Sequence, residues 1–252
     1  MRLNIKRLKK ITDINISSNK TIASTNTEAR RLLSLGVSAP LLVLAEKQTG
    51  GRGRMGRSFY SGGHGIYMSF VYKTSSSLCN TVSVTTAAAV AVAQSLYECC
   101  EGDFEIKWVN DVYQSGKKVC GILTEAVSGV LESESAVIIG IGINVGRCRF
   151  PSEIKDIAGS VKLKSRPEQL VAEIVSRLEK IIASPEDKSY MDYYREHFML
   201  MGTRVSAVSE GRTVFGKVTG VDNDGALLLL CDGESLPIRI FSGEVTIRPA
   251  ND

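Results

Sequence analysis

The chain has 252 residues, 43% of them hydrophobic and 23% charged, which is the composition of an ordinary globular protein with enough length for one large domain or a medium and a small one. A net charge of +4, from 31 basic and 27 acidic residues spread along the chain, argues against wholesale polyanion binding but leaves room for one anion pocket. Six cysteines with no C-x-x-C spacing and only two histidines exclude an evident zinc site or disulfide framework.

No apolar stretch follows the N-terminal MRLNIKRLKK, so no secretory signal is visible and the thiols are expected to stay reduced in a cytoplasm. Thr25 and Glu28 have capping-box spacing, which predicts a helix through EARRLLSL that stops at Gly36. After Pro40, LLVLAE reads as a buried strand, and IYMSFVYK (66–73) alternates as a strand does. VSVTTAAAVAVAQSLYECC (82–100) reads as a buried helix, too short in its apolar part and too polar at Thr85, Thr86 and Gln94 to span a bilayer. FEIKWV and KVCGILTEAV, with a polar break and a turn at Ser115-Gly116 between them, predict a hairpin with a three-to-five-residue loop. AVIIGIGINV (136–145) is an apolar strand whose two glycines fall on one face, where a ligand can approach the backbone. RPEQLVAEIVSRLEKIIAS (166–184) opens with Pro167 and repeats apolar residues at helical spacing, and a second helix is expected over 188–199. From Gly202, about five short strands separated by Glu-Gly, Asn-Asp-Gly, Asp-Gly and Ser-Gly turns predict a small barrel. The expected domains are therefore 1–200 and 201–252.

Three segments carry chemistry. GGRGRMGRSFYSGGHG (50–65) holds seven glycines, three arginines and no acid. Such turns expose N–H groups to a phosphate, and guanidinium forks match phosphate or carboxylate oxygens in pairs. The nearest acids in sequence lie outside the loop, Glu46 among them, so Arg52, Arg54 and Arg57 ask for an anionic ligand unless the loop is a solvated basic surface. It is neither a Walker loop nor a dinucleotide fingerprint, since no G-K-[ST] follows and no helix opens. In KWVNDVYQSGKKVCGILTEA (107–126), Lys107, Asn110 and Asp111 cluster at a strand end and Lys118 precedes the next strand. That arrangement brings two ammonium groups and a carboxylate to one rim, or is a surface hairpin with a solvated ion pair. GIGIN (140–144) offers a bare face ending in Asn144, either a floor for a ligand or a face packed on a helix. Trp108 is expected in the core, and Cys99 and Cys100 are expected to pack. His64 and His197 have no carboxylate or cysteine at useful spacing and receive no catalytic role.

STN (24–26), GRGRMGR (51–57), KWVND (107–111), KKVCGIL (117–123) and GIGIN (140–144), in this order, resemble the biotin protein ligases. The resemblance extends over nearly the whole chain, to NDGALLL and SGEVTIR, and GRGR joined to K-W-x-N-D is a specific signature. It implies an α+β fold: the mixed sheet with helices of class II aminoacyl-tRNA synthetases and biotin synthetases, plus a C-terminal SH3-like β-barrel. It implies that biotin and ATP, with Mg2+, give biotinyl-5'-AMP and pyrophosphate. A lysine of the biotin carboxyl carrier protein of acetyl-CoA carboxylase, or of a related carboxylase, then takes the biotin.

Carried over residue by residue, the resemblance makes Arg54, Lys118 and Asp111 catalytic. Arg52 and Arg54 would meet the phosphate and the biotin carboxylate, and Lys118 would lie between the biotin carbonyl and the α-phosphate. Asp111 would support magnesium-ATP or the carrier lysine. Ser24, Thr25, Gln48 and Gly51, with the backbone near Gly121, Gly140 and Gly142, would hold biotin. Arg57, Asn110 and Asn144 would join the nucleotide site, and Phe59, at the family's tryptophan position, would close on adenine. Arg212 and Arg248 match barrel positions that reach the ATP phosphates. Val109 replaces the proline usual in K-W-P-N-D, and Met55 stands where some relatives have a third arginine. Relatives that repress transcription carry an N-terminal winged helix, and with none seen here a ligase without operator binding is expected, with no nucleic-acid or membrane partner. Homodimerisation through the central sheet stays open. A lipoate or octanoyl transferase would share the core sheet but use a reactive cysteine or lysine, with Cys120 the nearest thiol. A nucleic-acid-binding module would need a wider basic face and exposed aromatics.

Overall fold

The computed structural model describes residues 1–62, 64–74, 81–131, 134–209 and 212–247. In chain order the elements are α1 (Ile5–Leu8), β1 (Asn15–Ile22), α2 (Thr25–Ser34), β2 (Leu41–Gln48), a 3-10 turn (Arg54–Gly56), β3 (Gly65–Thr74), α3 (Thr81–Cys99), β4 (Glu105–Lys107), β5 (Asp111–Gln114), β6 (Lys117–Leu131) and β7 (Glu134–Asn144). Then come α4 (Pro167–Ala183), α5 (Tyr190–Glu196), β8 (Arg204–Ser209), β9 (Arg212–Val221), β10 (Leu227–Cys231), β11 (Ile238–Ile240) and β12 (Glu244–Ile247). Seven strands form one mixed sheet in the order β1-β2-β3-β7-β6-β5-β4, with β1 parallel to β2 and the other pairs antiparallel. The last five form an antiparallel sheet, β11-β10-β9-β8-β12, where the turn-rich C-terminal pattern predicts a small barrel.

Burial divides the large sheet into two unequal faces. On one, Leu42, Leu44, Met68, Phe70, Ile139, Ile141 and Ile143 join the Ala/Val surface of α3 and the inner face of α4 in one core, which continues into the barrel at Val205, Val218 and Leu227. Each such side chain removed from water contributes roughly 1.5–3 kcal/mol. On the other face, Leu41, Val43, Val71, Ala136 and Ile138 pack against Ala29 and Leu33 of α2. Alternation along β7 puts Gly140, Gly142 and Asn144 on this second face. One half of it is thus covered by α2, and the other is floored by glycine.

Several elements differ from the sequence reading. α1 and β1 were not expected, because NISSNKTI is a half-exposed edge strand without clean alternation. The helix after STN begins at Thr25 with Ser24 as N-cap, and no capping box forms. Thr25 turns to Gln48 and Glu28 pairs with Arg31 at 2.7 Å. The helix does end at Gly36, with φ +79°. The polar break is itself a strand, β5, and Ser115-Gly116 is a two-residue turn with both φ angles positive, as a tight hairpin of right-handed twist demands. Trp108 and Val109 therefore sit in a turn between β4 and β5. α5 is shorter than 188–199, because the Ile106 N–H donates to His197 O and the Ile106 carbonyl accepts from the Met199 N–H, drawing 197–199 out along β4. Among the described residues, no helix is long and apolar enough to cross a membrane.

Candidate active site

The glycine-arginine loop leaves β2 at Gln48, and Gln48 anchors it. Its Oε1 accepts from the Thr25 N–H at 2.8 Å and the Thr25 hydroxyl at 3.2 Å, while its Nε2 donates to Ser61 Oγ at 2.9 Å. Ser61 in turn donates to Phe59 O at 3.1 Å. Ser24, Thr25 and Ser61 are all buried, so this amide bridges the start of α2 to the far end of the loop in a setting where an unpaired polar atom would be costly. Gly51 lies in the angle between them, where a β-carbon would stand 2.6 Å from Phe59 O and 2.7 Å from Ser61 Oγ.

The floor is made by Gly121 and Gly142, which face each other across β6 and β7, and by Gly140 one step away. The Phe59 ring lies directly on the pair: a β-carbon at Gly142 would collide with it, and one at Gly121 would stand 3.0 Å from it. A β-carbon at Gly140 would collide with Asn26, a buried side chain that accepts from Ser69 at 2.6 Å and donates to Leu123 O at 3.2 Å and Glu125 at 2.7 Å. These glycines are needed for space.

The rim is charged. Lys118 Nζ lies 2.6 Å from Asp111 Oδ1, an oxygen that is buried and otherwise has no hydrogen-bond partner. The Lys118 backbone is clamped on both sides, its N–H donating to Ile157 O at 2.9 Å and its carbonyl accepting from Gly159 N at 2.8 Å. Asn144 Nδ2 donates to Gly159 O at 2.9 Å, so the end of the glycine strand holds the segment that holds Lys118. Asn110 donates to Ile122 O at 2.8 Å, fixing the turn before Asp111. Arg54 is drawn in from the loop: burial lowers its pKa, and Asp111 and Tyr194 oppose that shift. Lys107 is lowered by burial as well, Asp111 opposing while Lys118 and Arg57 reinforce. Asp111 is thus paired directly with Lys118, and its charge also acts on Arg54 and Lys107. Between the loop, α3 and the barrel lies a cavity of about 260 Å³ lined by Arg54, Met55, Thr85, Val109, Leu123 and Phe241, among others. A larger open depression of about 510 Å³ sits at the outer edge of β1, beside Asn15, Ser17 and Leu41, away from these groups.

The structure therefore unites Ser24, Thr25, Gln48, Gly51, Arg54, Phe59, Asn110, Asp111, Lys118, Gly121, Gly140, Gly142 and Asn144, but it separates the arginines. Arg52 turns to Thr27 Oγ1 at 3.3 Å and Glu125 at 3.5 Å, so an acid remote in sequence meets part of the loop's charge. Phe59 covers the glycine floor expected to receive biotin. Arg212 is exposed at the start of β9, and no hydrogen bond or ion pair among the described residues joins it to the loop or the hairpin. Arg248 lies outside the described residues. Asn26, Ser61 and Glu125 were missed: only Asn26 had a signal, as the third letter of STN.

The described residues bring together a glycine floor, a cationic rim and a loop whose Phe59 ring lies on that floor. Comparison with known proteins supplies the family. The profile of the Biotin/lipoate A/B protein ligase family matches residues 18–144, and that of the Biotin protein ligase C terminal domain matches residues 200–248. The chain is 37% identical over 224 residues to the bifunctional ligase/repressor BirA of Bacillus subtilis, covering 82% of this chain and 67% of that one. It is 27% identical to the biotin--[acetyl-CoA-carboxylase] ligase of Mycobacterium tuberculosis, covering 89% and 86% of the two chains. Among solved structures, the biotin protein ligase from Aquifex aeolicus in complex with biotin and ATP superposes with a TM-score of 0.77 at 30% identity, covering 93% of this chain and 98% of that one. The chain belongs to the biotin/lipoate A/B protein ligase family and, within it, groups with the biotin protein ligases.

Proposed function

We propose that this chain is a biotin–[acetyl-CoA-carboxylase] ligase, which joins biotin to ATP and passes it to a carrier lysine. The observation that carries the reading is the Lys118–Asp111 pair at 2.6 Å on the rim of the Gly121–Gly142 floor, with the charge of Asp111 also acting on Arg54 and Lys107. Biotin's carboxylate oxygen must bond to the α-phosphorus of ATP as the bond to pyrophosphate breaks, and both partners are anions. Fixed cations offset that repulsion and meet the charge of the transition state without having to reorganise. Lys118, held through its backbone on both sides, would bridge the carboxylate and α-phosphate oxygens. Arg54 can close on them from the loop. In the second step the carrier lysine's amine attacks the acyl carbon and AMP departs; Asp111 suits the approach of that cation and the loss of its proton.

Gln48, Thr25 and Ser24 offer paired donors and acceptors for a buried ureido group, the glycine floor admits a flat bicycle once the Phe59 ring swings off it toward the nucleotide, and Arg57 and Asn144 border the nucleotide. Magnesium arrives with ATP in this reading. Among the described residues no three His, Cys, Asp or Glu side chains converge on a metal site, so an ion would take most of its ligands from phosphates and water, with Asp111 Oδ1 as a protein acceptor. The acceptor is the biotinyl domain of a carboxylase, in keeping with the names of the relatives, and we place the domain boundary at 200/201. The five described cysteines are free thiols, consistent with a reducing compartment, and we place the reaction in the cytoplasm.

A cysteine-based acyl transfer is disfavoured by Cys120, whose thiol is fully buried and pushed far above its ordinary value by that burial. The test is to incubate the protein with radiolabelled biotin, ATP, magnesium and an apo carrier domain, with lipoate and octanoate in parallel. Biotin-dependent pyrophosphate release and carrier labelling are expected. Labelling by lipoate or octanoate alone would overturn the proposal.

A further inference from the structure

The turn at 108–110 sets where Asp111 enters β5, and β6 holds it from one side only, through Ile122 N to Asn110 O at 3.0 Å and Asn110 Nδ2 to Ile122 O. The other side is held by the barrel and α5. Trp108, buried, donates its indole N–H to Gly225 O at 2.9 Å, and the Tyr194 hydroxyl reaches Val109 O at 3.4 Å. Gly225 belongs to a turn that is itself locked. Asp222 accepts from the N–H groups of Asp224 and Ala226, each at 2.9 Å, and Arg239 ties Asp222 to Asp224. Ser83 of α3 donates to Asp224 O at 3.0 Å, and Arg195 of α5 to Val221 O at 3.0 Å. At φ +86°, Gly225 also packs so closely on α3 that a β-carbon would stand 3.0 Å from Val82 and Thr86. The barrel therefore presents a fixed carbonyl to a tryptophan three residues from the site's carboxylate.

We infer that Trp108 is a positioning residue: through its hydrogen bond to Gly225 O, the barrel turn 222–226 sets the register of Asn110 and Asp111, and thereby the Lys118–Asp111 pair. The inference rests on the proposed adenylation chemistry and gives the barrel a part in it that does not depend on Arg212.

The test is a double-mutant cycle on the full chain with Trp108→Phe, which keeps an aromatic ring but loses the donor, and Asp222→Ala, which removes the acceptor of the Asp224 and Ala226 N–H groups and so loosens the turn. The measurements are single-turnover formation of biotinyl-AMP at saturating biotin and ATP, biotin affinity, and thermal unfolding. Trp108→Phe should slow adenylation roughly tenfold, the scale of one buried hydrogen bond, with biotin affinity changed less than about twofold. Asp222→Ala should slow it by about threefold, and the double variant should be no slower than Trp108→Phe alone, because both act through the same bond. Unchanged adenylation in folded Trp108→Phe, or strictly multiplicative effects in the double variant, would overturn the inference while the ligase reading stood. Rates that fall only as the folded fraction falls would make Trp108 merely structural and overturn it too. A wild-type chain that forms no biotinyl-AMP would overturn the ligase reading, and this inference with it.

Discussion

The loop at 50–65 and the hairpin at 107–123 both bring cations to the glycine floor, yet they are held in opposite ways. In the loop, Gly53 N to Arg57 O at 2.7 Å and Phe59 N to Gly51 O at 2.9 Å are the main internal ties, and Met55 and Gly56 take left-handed conformations at φ +53° and +76°. Met55 is 65% exposed. In the hairpin, Val119, Cys120 and Ile122 are buried, β6 is paired with β7 through its middle, and the Lys118 backbone is bonded to 157–159 on both sides. Charge preorganised on a rigid element acts in the transition state without a reorganisation cost, whereas a cover that admits a ligand and then shuts out water needs an element that moves cheaply. On the proposed reading the labour divides accordingly: the hairpin would carry the chemistry, and the loop access and retention.

The largest effect is expected at the hairpin. Lys118→Ala should lower the rate of adenylate formation at least about a hundredfold in the folded protein, the scale of one preorganised electrostatic donor. Measurable full activity would move the catalytic cation elsewhere. Next, Gly142→Ala places a methyl group on the floor and into the Phe59 ring. It should raise the KM for biotin roughly tenfold or more, a displacement worth 1–3 kcal/mol by the usual cost of overpacking. An unchanged KM would mean that the ligand does not use this floor. The two arginines sharpen the contrast within the loop. Arg54→Gly should release biotinyl-AMP to solvent about tenfold faster, as expected for the loss of a charge-assisted hydrogen bond, while Arg52→Ala, which breaks a half-exposed contact with Glu125, should alter release by less than about threefold. Equal effects, read by trapping free adenylate, would erase the distinction.

The smallest effect is expected from thiol chemistry. Burial raises the pKa of Cys120, so the neutral, unreactive thiol persists as pH climbs past the range where an ordinary cysteine ionises. Iodoacetamide at pH 8.5 should leave Cys120 unmodified on peptide mapping and carrier biotinylation intact. Alkylation of Cys120 with loss of transfer would favour a thioester route.

The elements that sequence made legible are those with a strong period and a continuous core face. α4 is buried along a stripe its spacing announces, β2, β3, α3 and β7 are buried over continuous apolar runs, and Gly140 and Gly142 could be put on one face from alternation alone. β1 and β5 were hidden because NISSNKTI and DVYQ carry mixed burial, so their strand character comes from pairing with β2 and with β6. The same limit governs the site. Lys118 and Asp111 lie seven residues apart on one hairpin and could be paired in advance. Glu125 meets Arg52 across 73 positions, and Trp108 meets Gly225 across 117; neither contact leaves a local trace. The unexpected resting place of Phe59 follows from the glycine pair, which leaves a flat gap that only a three-dimensional register can assign.

The most direct test of the central claim is pyrophosphate release by the purified chain, measured with ATP and magnesium, with and without biotin, before any carrier is added. Release that requires biotin, reaches about one equivalent per active site when the adenylate is retained, and turns over once apo carrier domain is supplied is the expected result. Release independent of biotin, or dependent on lipoate or octanoate instead, would contradict it.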